Sequence, residues 1–282
     1  MEGQQMQELV IRKIPFDFDG VPFLWNPDNP RFALDMNKVS FFAIGLERYF
    51  CRAVQAAEPR IDDPQVLAIA RAFREQESLH SLAHRQHVRA LSARYPGLRE
   101  TLEQLIAHFD ALYEARSLDF HLAYAGGLES IFTPVFRLFL DYRAIYFGGG
   151  DPRVASLFLW HFCEEIEHRS AALDVYNHVC GSYLFRLRNL PAIARHVAQG
   201  LQLLDAGFKA HVPDVPAHLY SAPEKVGVPR GAHLAVLSGI LGAQLPGHRP
   251  AKQSVPEYFH EWTARHAAGE DMTRVYGQGV GA

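Results

Sequence analysis

Apolar side chains recur at three- and four-residue intervals along most of the chain, and strand-type alternation is nearly absent. That periodicity predicts an all-α fold. The first helix is expected from about Met36 to Ala57, on the stripe Ser40, Ala43, Ile44, Glu47, Phe50, Cys51, Val54, with Glu58-Pro59 as its stop. A second opens after Asp63-Pro64 and runs to about Leu91, ahead of Tyr95-Pro96-Gly97. Asp63 suits the N-cap there, and Pro64 the first helical position. Leu98 to Arg116 reads as a more exposed connecting helix, with charges on several sides. A third core helix spans about Leu118 to Phe147 on the stripe Leu122, Ala125, Gly126, Glu129, Phe132, Thr133, Phe136. Pro134 should kink it, and Gly148-Gly149-Gly150 ends it. The fourth covers about Pro152 to Val179, on Val154, Leu157, Phe158, Ala172 and Val175. A further amphipathic helix follows from Gly181 to His211, with Pro191 as a candidate break.

Three segments result. Residues 1–34, rich in Pro, Asp and aromatics, read as an extended arm; residues 35–211 form the helical bundle; residues 212–282 read as an irregular Pro/Gly-rich appendage with two short helical patches.

The stripes are interrupted in a consistent way. Glu47 and Glu129 each place one carboxylate in an apolar face. The second helix carries Glu77 and His80 as Glu-x-x-His, followed by His84 and His87, all within an arc of roughly 80°. The fourth reads WHFCEEIEH from Trp160 to His168, and puts His161, Glu164, Glu165 and His168 within an arc of about 100°. Charged groups are rarely buried without partners, so these faces either meet solvent or bind something. The plainer reading is surface ion pairs, Glu164 with His168 and Arg74 with Glu77. It accounts poorly for Glu47 and Glu129.

Composition narrows the chemistry. The 282 residues carry a net charge of −3, which gives no electrostatic case for nucleic acid. Three cysteines, Cys51, Cys163 and Cys180, with no C-x-x-C, point away from a disulfide framework or a zinc-thiolate site. No apolar run reaches the length of a membrane span, and the N-terminus lacks a secretory h-region. A cytoplasmic protein is the expectation.

Glu47, then Glu77 with His80, then Glu129, then Glu165 with His168 is an order that resembles the ferritin-like di-iron or di-manganese carboxylate bundles. Two divalent cations, iron first and manganese or zinc next, would balance the inward carboxylates. His84 and His161 fall at the same end of this set, as extra ligands, proton relays or hydrogen-bonding partners of the carboxylates. Glu164 is a candidate acid beside the ligands, or a ligand in place of Glu165. His87 is expected at the surface, and Cys163 in plain packing.

The runs GLERYF (Gly45–Phe50), QESLHSLAH (Gln76–His84) and WHFCEEIEHRSAALDVY (Trp160–Tyr176) resemble the bacterial family labelled predicted metal-dependent hydrolase, over about residues 35–200. The resemblance implies a ferritin-like di-metal site on Glu47, Glu77, His80, His84, Glu129, His161, Glu165 and His168. The tail departs from the family pattern. Three functions are compatible with these residues. The first is an O2-activating di-iron oxidase or oxygenase acting on a small, hydrophobic substrate, with Phe50, Phe73, Phe132, Phe136 and Phe158 as candidate lining; it needs an electron donor. The second is a di-metal hydrolase with His84, His161 or Glu164 as proton shuttle. The third is a non-catalytic iron-binding protein. A homodimer is compatible with all three.

Overall fold

The computed structural model describes residues 9–221 and 227–276. The ends of the expected arm and tail, residues 1–8 and 277–282, lie outside it, as do residues 222–226. Among the described residues the secondary structure is all helical. The long elements are α1 (Pro30–Ala57), α2 (Pro64–Arg94), α3 (Leu98–Ala115), α4 (Leu118–Asp141), α6 (Pro152–His168), α7 (Ala171–Val179) and α8 (Tyr183–His211), with a short α5 (Arg143–Phe147) between α4 and α6. The tail adds α9 (Arg230–Gly242) and α10 (Glu257–Ala267). No helix among these residues is long and apolar enough to cross a membrane.

The boundaries follow local chemistry. The Asp63 carboxylate accepts from the amides of Gln65 at 2.7 Å and Val66 at 3.4 Å, closing the N-terminus of α2 ahead of Pro64. Asp151 does the same for α6 through Arg153 N at 2.9 Å, with Pro152 at the first position. Ser117 and Ser182 cap α4 and α8 through Phe120 N and Phe185 N.

Three expectations are corrected. The helix expected over residues 152–179 is two helices, broken at Arg169-Ser170. There the Arg169 guanidinium donates to Ile166 O, one of the carbonyls that a helix end leaves open. Pro191 lies inside a continuous α8 and does not break it, and the helix expected over residues 118–147 is interrupted at Tyr142, with Pro134 inside α4. His87 is fully buried, not at the surface.

Helices α1, α2, α4 and the α6–α7 pair pack on one another around a common interior, with α3 and α8 layered outside α1 and α4. Gly126 permits the close approach of α4 to α7. A β-carbon there would sit 3.1 Å from Leu173 Cα and 3.3 Å from Ala172 O.

The apolar core falls into two clusters. One centres on α1, α2, α4 and α7. The other joins Phe16, Phe18 and Trp25 of the arm, α6, and Tyr258, Phe259 and Trp262 of the tail. The arm is held by charge as well. Arg12 donates to Glu164 Oε1 at 3.0 Å and to both oxygens of Glu167 at 2.8 and 2.9 Å, with its guanidinium over the Trp262 ring.

Candidate metal centre

One carboxylate from α1 (Glu47), one from α4 (Glu129), the Glu77/His80 pair from α2, and His161, Glu165 and His168 from α6 all project into the interior, and all are buried. Their potential ligand atoms form overlapping groups in which every atom lies within 4.8 Å of the others. One group is Glu77, Glu129, Glu165 and His168; the others are His80, His161 and Glu165, then Glu47, Glu77 and His80, then Glu47, His84 and His161. Glu77 and Glu165 thus belong to groups on both sides.

His168 Nε2 lies 3.2 Å from Glu77, 3.5 Å from Glu129 and 3.4 Å from Glu165. His161 Nε2 lies 2.9 Å from Glu165 and 3.4 Å from Glu47. His80 Nδ1 stands 3.9 Å from Glu77 and 3.8 Å from Glu165. Each imidazole is held from behind through its other nitrogen: His80 Nε2 by Glu164 Oε2 at 2.9 Å, His168 Nδ1 by Gln76 Oε1 at 3.0 Å, and His161 Nδ1 by His84 Nε2 at 2.8 Å. An outer hydrogen bond of this kind sets the tautomer that leaves the inner nitrogen's lone pair free.

The donor set fits divalent cations. Both oxygens of Glu47, Glu77 and Glu129, together with Glu165 Oε2, His80 Nδ1 and His168 Nε2, are buried and have no hydrogen-bond partner. Orphaned polar atoms are expensive in an interior, yet these converge on one space. Oxygen and imidazole donors without thiolate suit iron, manganese or zinc.

The electrostatics agree. Burial, then the neighbouring carboxylates Glu165 and Glu129, push Glu47 and Glu77 well above the usual carboxylate range. Burial also raises Glu129. Glu165 goes the other way, because His168 and His161 outweigh its burial. His168 is correspondingly raised by Glu165 and Glu129 against the effect of burial. In the absence of a cation, protons must do the neutralising.

Glu164 is fully buried and stands outside the groups of inner atoms, between His80 and Arg12. Burial lifts it to about 7, against the pull of Arg12. The surface ion pairs weighed for these helices do not form as envisaged: Arg74 pairs with Glu58, and Glu164 with Arg12. His84 has both nitrogens engaged, Nε2 by His161 and Nδ1 by Ser40 Oγ at 3.0 Å. Ser40 Oγ also meets His87 Nδ1 at 2.9 Å. Of the five phenylalanines, Phe73 lies edge-on to His168 at 5.0 Å, Phe158 lies 5.5 Å from His84 and Phe136 lies 6.1 Å from His161. Phe50 packs instead on Tyr49 and Tyr124, and Phe132 on Phe136. Cys163 is buried, in the apolar cluster on the arm side of α6.

Sequence reasoning missed Arg12, Gln76 and Ser40 as supports of this interior. Ser40 carried a signal, two turns before Glu47 on the same stripe, and Gln76 directly precedes Glu77. Arg12 carried none, because the arm has no periodicity.

Comparison with curated proteins and with solved structures finds no match. Residues 10–216 match the family described as predicted metal-dependent hydrolase, a span that takes in every residue of the centre. The chain belongs to that predicted metal-dependent hydrolase family.

Proposed function

We propose that the protein is a hydrolase working through two divalent cations. Glu129 and His168 would hold one and Glu47, His80 and His161 the other, with Glu77 and Glu165 reaching both. The observation that carries this reading is the convergence of unpartnered, buried carboxylate and imidazole atoms on one interior. When bound, two such cations polarise a carbonyl or phosphoryl oxygen and make water nucleophilic near neutral pH.

The chain's own residues provide orientation and proton control. Glu164, Gln76 and His84 are positioning residues: each fixes the ring of one inner histidine from its outer nitrogen. His84 serves His161 better from outside than as a ligand, because ligation would break one of its two hydrogen bonds. In its positioning role Glu164 is the carboxylate, accepting from His80 Nε2 at Oε2 and from Arg12 at Oε1; with burial lifting it to about 7, a proton taken up at Oε2 would turn His80 from the tautomer that leaves Nδ1 free.

A cleft of about 680 Å³ borders the centre at Glu167 and His168. Its wall is mixed, with Asp, Asn, Ser, Tyr, Arg and His side chains beside Leu9, Val66, Ile69, Leu173 and Leu245, so it has polar groups to orient a substrate for hydrolysis and an apolar side as well. The second reading, O2 activation by di-iron, draws on the ferritin-like order of Glu47, Glu77-x-x-His80, Glu129 and Glu165-x-x-His168.

The test is to purify the protein without chelator, measure metal identity and stoichiometry by mass spectrometry, and assay ester and phosphoester hydrolysis before and after chelation. Hydrolysis lost on chelation and restored by metal is the expected result. Two irons per chain, O2 uptake by the reduced protein and no hydrolysis would overturn it in favour of the second reading.

A further inference from the structure

The cleft beside the centre is walled partly by residues 245–251, which lie beyond the stretch matching the family. Three arginines line it: Arg169, Arg186 and Arg249. Arg169 and Arg186 are buried, and no carboxylate offsets the cost of their burial. Their anchors are neutral. Arg169 donates to Pro250 O at 3.1 Å and Ala251 O at 3.3 Å, and Arg186 Nη1 donates to Gln244 Oε1 at 3.2 Å and Ala243 O at 3.5 Å. Among the described residues the Nε and Nη2 donors of Arg186 take no partner. His248, in the same wall, has a buried Nε2 that is also unpartnered.

The carboxylates of the cleft are otherwise engaged. Glu167 is bound by Arg12 at 2.8 Å and by Gln76 at 2.7 Å. Asp63 caps α2. Asp174 is bonded by Ser170, while burial raises its pKa. The guanidinium groups of Arg169 and Arg186 are therefore left without a carboxylate partner, beside an imidazole nitrogen with nothing to bind. Buried guanidinium groups without a carboxylate partner are suited to an incoming oxyanion.

We propose that this cleft is the substrate site, and that the substrate carries an oxyanion, phosphate or carboxylate, received by Arg186 and His248 with Arg249 at the rim, its other end lying toward the wall at His168, the one residue of the centre in the lining, whose side chain is closed to solvent. The reaction assigned to that end rests on the hydrolytic reading; the binding does not. The family-matched bundle then supplies the centre and Arg186, and the tail beyond it adds His248 and Arg249 to the selection of substrate.

Calorimetric titration of the protein with inorganic phosphate and with succinate tests this, in the metal-loaded and chelated forms, so that binding to cations is separated from binding to the cleft. Saturable binding that survives chelation and weakens with added salt is expected, for phosphate if the oxyanion is a phosphoryl group and for succinate if it is a carboxylate. Arg186→Met should weaken it about ten-fold or more, the loss of one charge-assisted contact. Arg186→Lys should recover part of that loss, and Arg249→Ala, at an exposed position, should reduce affinity without disturbing the fold. No saturable binding of either anion to the chelated protein, or unchanged affinity in both Arg186→Met and Arg249→Ala, would overturn the proposal. Anion binding that depends on Arg186 in a protein without metal-dependent hydrolysis would instead remove the hydrolytic reading and leave the cleft assignment standing.

Discussion

His84 Nε2 lies 2.8 Å from His161 Nδ1, and the far nitrogen of His84 rests on Ser40, which also touches His87. If His161 keeps Nε2 free toward Glu165 and Glu47, its Nδ1–H donates to His84, whose Nδ1–H donates to Ser40, whose hydroxyl donates to His87. His84→Ala leaves His161 without its outer partner. Metal affinity should fall roughly ten- to a hundred-fold, with a smaller loss for His87→Ala, which sits two hydrogen bonds further away. Metal content after dialysis against graded chelator measures both. Equal losses would mean that His84 does not act through His161.

Glu129 contributes two buried oxygens with no hydrogen-bond partner, and its one close charged contact is His168 Nε2 at 3.5 Å, so replacing it chiefly removes metal-donor atoms. Glu129→Ala should lose most bound metal and remain as helical as the parent by far-ultraviolet circular dichroism. Full metal retention would remove α4 from the centre.

Arg12 neutralises two carboxylates while its side chain is only 5% exposed. Arg12→Met strands Glu164 and Glu167 in the interior, which should cost roughly 3–5 kcal/mol of stability. Adding Glu164→Gln and Glu167→Gln should recover much of the loss, since the stranded charges go too. Denaturant midpoints of the single and triple variants decide this. A triple variant no more stable than Arg12→Met would show that the arm is held by its aromatic packing alone.

The metal-free protein should lose stability as pH rises from 6.5 to 8. Glu164 has an ordinary value of 4.5 and a folded value of about 7. Its contribution is complete below pH 4.5 and is lost as the pH rises through 7. Glu129 shifts in the same direction, and His168, raised in the fold, adds to the decline above its ordinary value of 6.5. His87 opposes them at lower pH: burial brings it to about 3, so its contribution is present above 6.5 and is lost as pH falls through 3. Above pH 6.5 the carboxyls and His168 act without that opposition. Melting temperatures of chelated protein should fall across the window, and added metal should flatten the slope, because cations take the place of protons at Glu129 and His168. A slope unchanged by metal would argue against ligation there.

The bundle and the inner atoms were legible because helical periodicity is a local signal. Glu47 and Glu129 stood out only because their stripes were otherwise apolar, and Glu165 with His168 because one turn separates two ligand types. His87 shows the limit of that signal. Its arc coincided with His84, but its burial depends on Phe18 of the arm, 5.2 Å away, and on Phe158 of α6, which no spacing on α2 reveals. The break at Arg169-Ser170 was hidden for a similar reason: the arginine that marks it also bonds to Pro250 and Ala251, some eighty positions away.

The Arg12 clamp has a consequence in time. Its two carboxylates lie 152 and 155 positions further along the chain. At a translation rate of about 5–20 residues per second, roughly 8–30 s pass between synthesis of the guanidinium and synthesis of its partners. The arm therefore closes late, after α1, α2 and α4 have left the ribosome, and in that interval the donors of those three helices stand without the strap that later covers α6. The centre itself is incomplete until the same stretch arrives, because Glu165 and His168 are made within a few residues of the carboxylates that Arg12 clamps.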